Sequence, residues 1–150
     1  MADGRRPPRG LLDTSVVIDL DQLEPSKLPI EVAVSAVTMA ELAAGPHATS
    51  DPDERARRQD RLQRAEAAFD PLPFDGEAAR AYGRVYAAVV AAGRKALGTR
   101  AVDLLVAATA CAADLPLYTR NGVDFEALED LVDIVAVQAP SREHKRSPCD

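Results

Sequence analysis

Short apolar runs alternate along this chain with longer segments that repeat their apolar residues at helical spacing. The runs that predict strands are GLLDT, where the strand ends at Asp13, then EVAVSAV, the segment 69–72, LPLYT and LVDIVAV. Strands that alternate with helices build a parallel sheet with helices on both faces. The pattern therefore predicts an α/β fold, a three-layer sandwich with a central parallel sheet of about five strands.

Capping residues set the predicted helix boundaries. Asp51 before Pro52 is typical of a helix start, and Gly93 is typical of a helix end. Thr38 predicts the start of a helix that Gly45 and the proline after it end. The predicted helices run from Thr14 to about Leu20, from Thr38 to Gly45, from Pro52 to about Ala68, from about Asp75 to Gly93 and from about Thr99 to Asp114, with a shorter one over DFEALED.

The last long helix is apolar nearly all round and is predicted to be the central buried one. Its sequence, AVDLLVAATACAA, contains a single charged residue, Asp103. A buried carboxylate is costly unless it is paired, hydrogen-bonded or bound to a metal ion. We therefore expect Asp103 to have a functional role.

Three other acids are each explained by a structural role when taken singly. Asp13 and Asp124 precede predicted helices as capping residues, and Glu41 forms a capping box with Thr38. In a parallel sheet, however, all these positions and Asp103 can converge at the edge where ligands bind. Four carboxylates repel one another unless a cation lies between them, and Mg²⁺ or Mn²⁺ prefers such oxygen ligands. The set indicates metal-assisted hydrolysis of a phosphodiester.

Length and composition describe an ordinary globular chain. With 150 residues, 47% of them hydrophobic, the chain can bury one core without disulfides. We expect residues 1–138 to form a single domain and residues 139–150 to be a disordered tail. The sequence has no secretory signal and no apolar run long enough for a membrane span, and its two cysteines indicate a reducing compartment. We therefore expect the protein in the cytoplasm, with no membrane partner.

The net charge of −6 opposes binding to nucleic acid, but the basic residues are clustered. Arginines crowd the segment 55–64, where a solvated helix face interleaved with acids explains them more simply than contact with a nucleic acid. Arg94, Lys95 and Arg100 come just before Asp103, and we expect them to be the better candidates for guiding a nucleic acid such as RNA. Aromatic residues make up only 4% of the chain, which argues against extensive base stacking.

Other catalytic classes lack the residues that they need. His47 and His144 lie after a helix end and in the tail, and no G-x-S-x-G motif is present, which disfavours a histidine-based nuclease or a triad hydrolase. Clustered Cys and His for zinc and a glycine-rich phosphate loop are both missing from the sequence. A phosphoacceptor domain usually has a lysine after a late strand. In this chain the late strands are followed by no lysine before Lys145, in the predicted tail.

Four motifs in a fixed order carry a resemblance to a known family. They are LLDTSVVID around Asp13, SAVTMAEL around Glu41, RAVDLLVAATA around Asp103 and TRNGVDF around Asp124, and they cover about residues 10–137. On these motifs the chain resembles the PIN-domain family and, within it, the VapC-type toxins of bacterial toxin–antitoxin pairs. The resemblance implies a PIN fold, an RNA-cleaving endoribonuclease that needs Mg²⁺ or Mn²⁺, a homodimer, and inhibition by a VapB-like antitoxin.

The resemblance also implies roles for the residues that match the motifs. Asp13 and Asp103 would be the principal metal ligands, whereas Glu41 and Asp124 would complete the acidic pocket or act through metal-bound water. The polar positions that would help to shape the pocket are Thr14, Thr119 and Asn121.

Two alternatives stay open at this point. A housekeeping RNA-processing nuclease of the same fold would carry the same acids, although the single-domain length favours the toxin. A PIN-like module that binds RNA or a protein without cutting would not need the acids, and the intact set of four argues against it.

Overall fold

A parallel sheet forms the centre of the molecule, with its strands in the spatial order Glu31–Val34, Arg9–Leu12, Leu117–Thr119 and Ile134–Ala136. The computed structural model describes residues 8–94 and 99–138. Within these, the strands are β1 (Arg9–Leu12), β2 (Glu31–Val34), β3 (Leu117–Thr119) and β4 (Ile134–Ala136). The helices are α1 (Thr14–Ile18), α2 (Ala36–Ala44), α3 (Pro52–Ala68), α4 (Gly76–Ala91) and α5 (Thr99–Ala113), with 3₁₀ turns at Leu20–Gln22, Pro25–Lys27, Gly45–Ala48 and Gly122–Leu128.

The strand predicted over residues 69–72 is reduced to a single parallel bridge between Ser35 and Leu72. Leu72 donates to the carbonyl of Val34 at 2.9 Å and accepts from the N–H of Ala36 at 2.8 Å. Proline flanks Leu72 on both sides and has no N–H to donate, so the ladder cannot extend. The sheet therefore has four strands in the described residues, where the sequence predicted about five.

Alternate residues of the central strands fill two cores, one on each face of the sheet. Leu11 is fully buried against α4 and α5, whereas Leu12 is fully buried on the other face, against residues of α1, α2 and α3. Successive side chains of a strand point to opposite faces, so β1 contributes to both cores. The predicted three-layer α/β sandwich is confirmed.

The start of α2 differs from the prediction in a way that matters for the site. Ser35 is the N-cap, in extended conformation, and its hydroxyl oxygen accepts from the N–H of Thr38 at 3.0 Å. Thr38 therefore lies inside the helix, and the predicted capping box of Thr38 with Glu41 is wrong. Both Ser and Thr are good N-caps, and Ser35 is the N-cap here because β2 already ends at Val34. The predicted cap Asp51 is confirmed, and the helix predicted to start near Asp75 begins at Gly76, with Asp75 as its N-cap.

The strand order reverses between β1 and β3, which places their carboxyl ends side by side. From β1 the chain continues to β2 on one side, while β3 pairs with β1 on the other. The N–H of Asp13 donates to the carbonyl of Tyr118 at 2.8 Å, so the two strand ends are joined just beyond the ladder. Ligands of parallel α/β sheets bind at such a reversal.

Some sequence predictions concern residues outside the described ranges. Lys95 and the predicted tail, residues 139–150, are among them, as is the side chain of Arg100 within α5. In the part of the chain that is described, none of the helices has the length and hydropathy needed to cross a membrane.

Candidate active site

The carboxylate of Asp13 is buried and held by three hydrogen bonds at the end of β1. Asp13 exposes only 3% of its surface. Oδ1 accepts from the N–H of Thr14 at 2.9 Å, and Oδ2 accepts from the hydroxyls of Ser15 and Thr119, both at 2.9 Å. Three donors around one side chain fit a carboxylate, which only accepts. Asp13 thus caps α1, as its simplest interpretation predicted, and also meets the residue that ends β3.

Backbone N–H groups fix the direction of the two hydroxyls that hold Asp13. The N–H of Arg120 donates to Ser15 Oγ at 3.2 Å, and the N–H of Asn121 donates to Thr119 Oγ1 at 3.1 Å. A hydroxyl has one proton, and here each hydroxyl accepts from the backbone on one side and donates to Asp13 on the other. The loop after β3 therefore orients the carboxylate.

Thr14 contacts both acids, donating to Asp13 through its N–H and to Glu41 through its hydroxyl, which is the last in a chain of three hydroxyls. Ser35 donates to Thr38 Oγ1 at 3.2 Å, Thr38 and Thr14 hydroxyls lie 3.0 Å apart, and Thr14 donates to Glu41 Oε1 at 2.6 Å. Because the Thr14 hydroxyl donates its one proton to Glu41, the Thr38 hydroxyl donates to Thr14 Oγ1. All the donors point toward the Glu41 carboxylate, and bonds aligned in this way reinforce one another.

Asp103 and Asp124 lie on separate elements, α5 and the 3₁₀ turn after β3. Asp103 is in the second turn of α5, a helix that contacts α2, and it is half-buried. The apolar helix predicted full burial of Asp103, so the cost of desolvating its carboxylate is smaller than predicted. Asp124 is exposed in the 3₁₀ turn that follows β3.

The donor chemistry of the site fits a hard divalent cation, although the described residues do not form a preformed cage. Carboxylate oxygens are the ligands that Mg²⁺ and Mn²⁺ prefer, and Asp13 and Glu41 are brought together by Thr14. Within the described ranges, no three His, Cys, Asp or Glu side chains are grouped closely enough to hold a metal ion. The assignment of Asp13 and Asp103 as metal ligands stays a prediction.

Arg94 is engaged with the turn that carries Asp124. Its guanidinium donates to the carbonyl of Val123 at 3.1 Å and to Glu126 Oε2 at 3.3 Å. These contacts tie the end of α4 to the residues on either side of Asp124. A contact of Arg94 with RNA stays a prediction, and so do those of Lys95 and Arg100.

Three of the five arginines of α3 pair with acids of their own helix. Arg57 and Arg58 donate to Glu54, at 2.8 and 3.0 Å in the closest contacts, and this lowers the pKa of the Glu54 carboxyl. Arg64 contacts Asp60 at 3.0 Å. These pairs favour the predicted solvated face interleaved with acids.

Sequence reasoning missed Ser15 and Ser35, which complete the hydroxyl network. Ser15 is the third residue of the run Asp-Thr-Ser, and its proximity to Asp13 was a usable signal. Ser35 gave no such signal, because its contact with Thr38 depends on where β2 ends.

The fold is a parallel α/β sheet, and its site has a buried aspartate bound by hydroxyls at the strand reversal. Together they define a class of α/β proteins with an acidic site at the sheet edge. The PIN domain family model matches residues 11–131, and the chain belongs to that family. It is 36% identical over 135 residues to Ribonuclease VapC5 of Mycobacterium tuberculosis (strain ATCC 25618 / H37Rv), covering 88% of this chain and 96% of that protein.

Solved structures agree with this assignment. The crystal structure of VapBC-5 from Mycobacterium tuberculosis, a member of the VapBC family of toxin-antitoxin systems, matches with a TM-score of 0.77 and 38% identity over 87% of this chain and 100% of that one. FitAcB from Neisseria gonorrhoeae matches with a TM-score of 0.65 and 27% identity over 83% of this chain and 94% of that one. The predicted resemblance to the PIN family and its VapC-type members is confirmed.

Proposed function

We propose that this protein is a metal-dependent endoribonuclease, the toxin of a VapBC-type pair. The observation that carries the proposal is the buried Asp13 carboxylate, oriented by three donors and linked to Glu41 through Thr14, at the strand reversal of a PIN fold. Similarity to a protein named as a ribonuclease, over nearly the whole of both chains, supports RNA as the substrate.

The residues of the site have separable tasks in this proposal. Asp13 and Asp103 would hold the cation, and Glu41 and Asp124 would complete the acidic pocket around the scissile phosphate. Ser15 and Thr119 keep Asp13 from turning, because both of their protons are committed to Oδ2. Thr14 does the same for Glu41. Preorganised carboxylates need no rearrangement when substrate arrives.

Mg²⁺ or Mn²⁺, when bound, would supply an activated water and neutralise charge that develops on the phosphate. It would also relieve the repulsion that RNA meets on approaching several carboxylates in a chain of net charge −6. The carboxylate donor set favours these ions over zinc, for which Cys and His ligands are usual.

A VapB-like antitoxin is the protein partner that we propose. Its support is the similarity to a VapBC-family toxin-antitoxin structure at 38% identity over the full length of the matched chain. We also propose the cytoplasm as the compartment and a homodimer as the assembly. Tyr86 and Val90, which expose 40% and 54% of their surface on α4, are apolar side chains available for such a contact.

The experiment is cleavage of total cellular RNA by the purified, antitoxin-free chain. With Mg²⁺ or Mn²⁺ we expect discrete fragments, and with excess EDTA we expect intact RNA, because the carboxylates alone repel the substrate and activate no water. Excess Mg²⁺ added after EDTA should restore the fragments. Cleavage that continues in EDTA, or intact RNA in every arm, would contradict the proposal.

A housekeeping RNA-processing nuclease is the nearest alternative function. The response to an antitoxin distinguishes the two functions. A toxin should arrest growth when it is expressed alone and should lose that effect when its antitoxin is expressed with it. A housekeeping enzyme should show neither response.

A further inference from the structure

Arg120 joins the loop after β3 to the end of α1. Its guanidinium forms an ion pair with Asp19, a residue 101 positions earlier that caps the carboxyl end of α1. Each of the two side chains is only 28% exposed. Exposed pairs such as Arg64 with Asp60, at 69% and 61%, are weakened by water and salt far more than a shielded pair.

The backbone of the same loop holds both hydroxyls of the Asp13 site. The N–H of Arg120 binds Ser15, and the N–H of the next residue, Asn121, binds Thr119. Both hydroxyls then donate to Oδ2 of Asp13. A shift of this loop would therefore loosen two of the three hydrogen bonds of the carboxylate at once, whereas the third comes from the N–H of Thr14.

We propose that Arg120 is a positioning residue for Asp13, and that its ion pair with Asp19 holds the loop 119–121 against α1. This inference rests on the proposed function, since it concerns the orientation of a carboxylate that would bind the cation. In the described contacts, Arg120 reaches Asp13 through Ser15 and not directly. Residues that orient a metal ligand in this way typically change metal affinity or activity by about 10- to 100-fold when they are replaced.

The test compares Arg120→Gln, Asp19→Asn and the double variant with the wild type. We measure kcat and KM for RNA cleavage, and separately the dissociation constant for Mn²⁺ without RNA. Each single variant should lower kcat and weaken Mn²⁺ binding by about 10-fold or more, with KM nearly unchanged. The double variant should be no worse than either single one, because both remove the same ion pair. Arg64→Gln, which breaks exposed pairs with Asp60 and Asp21, is the matched control and should change neither quantity.

Three results would overturn the inference. If Arg120→Gln raises KM and flattens the salt dependence while Asp19→Asn is silent, Arg120 contacts RNA phosphate instead. If both variants lower thermal stability but keep wild-type kcat and Mn²⁺ affinity, the pair is only structural. A wild type that neither cleaves RNA nor binds Mn²⁺ would overturn the proposed function and this inference with it. Arg120→Lys keeps the charge and should remain folded even if Arg120→Gln does not. Its Mn²⁺ affinity should lie between that of the wild type and that of Asp19→Asn.

Discussion

Asp103→Asn is expected to lower kcat for RNA cleavage by about 10²- to 10³-fold, the loss that follows removal of one preorganised electrostatic group from an active site. The substitution keeps the size of the side chain and removes the negative charge that strengthens its binding to a divalent cation. Since Asp103 is half-buried and not fully buried, the fold should tolerate the amide. Single-turnover cleavage of a defined RNA in Mg²⁺ measures the effect, with circular dichroism to confirm the fold.

Asp114→Asn provides the control at the other end of the same helix. Asp114 is exposed, just beyond the end of α5, with φ of 54°. Asparagine adopts this left-handed conformation readily, so the variant should fold normally and cleave RNA at the wild-type rate. Equal losses in both variants would mean that the helix, and not the Asp103 carboxylate, sets the activity. Wild-type activity in Asp103→Asn would remove Asp103 from the site.

Leu104→Ala is expected to lower the free energy of unfolding by about 2–5 kcal/mol, because it leaves a cavity in the core. Leu104 follows Asp103 directly, is 1% exposed, and packs in the core between α4, α5 and the sheet. Urea denaturation measures the loss as a lower midpoint at unchanged slope. Ile30→Ala removes a side chain of equal size that is 68% exposed, and it should cost less than about 0.5 kcal/mol. A core variant no less stable than this control would contradict the packing described for α5.

The order of strands and helices could be predicted because each element carries its own signal. Alternation of apolar runs and helical segments predicted the parallel sheet, and Asp51 and Asp75 marked two helix starts correctly. The start of α2 could not be fixed in this way, because Ser35 and Thr38 are both good caps and only the end of β2 decides between them. The proline-flanked Leu72 looked like a strand residue, but it keeps a single bridge.

The acids proposed for the site could be named from the sequence, whereas the groups that hold Asp13 and Glu41 could be named only in part. Carboxylates after strands and in an apolar helix are visible one position at a time, and Thr14 and Thr119 match the family motifs. The direction of a hydroxyl proton depends on donors from distant elements, such as the N–H of Arg120 on Ser15. The ion pair of Arg120 with Asp19 spans 101 positions and has no local pattern. Tertiary contacts of this kind need the fold before they can be found.

Binding of Mn²⁺ to the purified chain, followed by calorimetry or electron paramagnetic resonance, shows whether Asp13 and Asp103 together hold the cation on which cleavage depends. We expect the wild type and Asp114→Asn to bind Mn²⁺ alike, and Asp103→Asn to lose most of that affinity together with its activity. Equal Mn²⁺ affinity in all three proteins would contradict a role of Asp103 as a metal ligand.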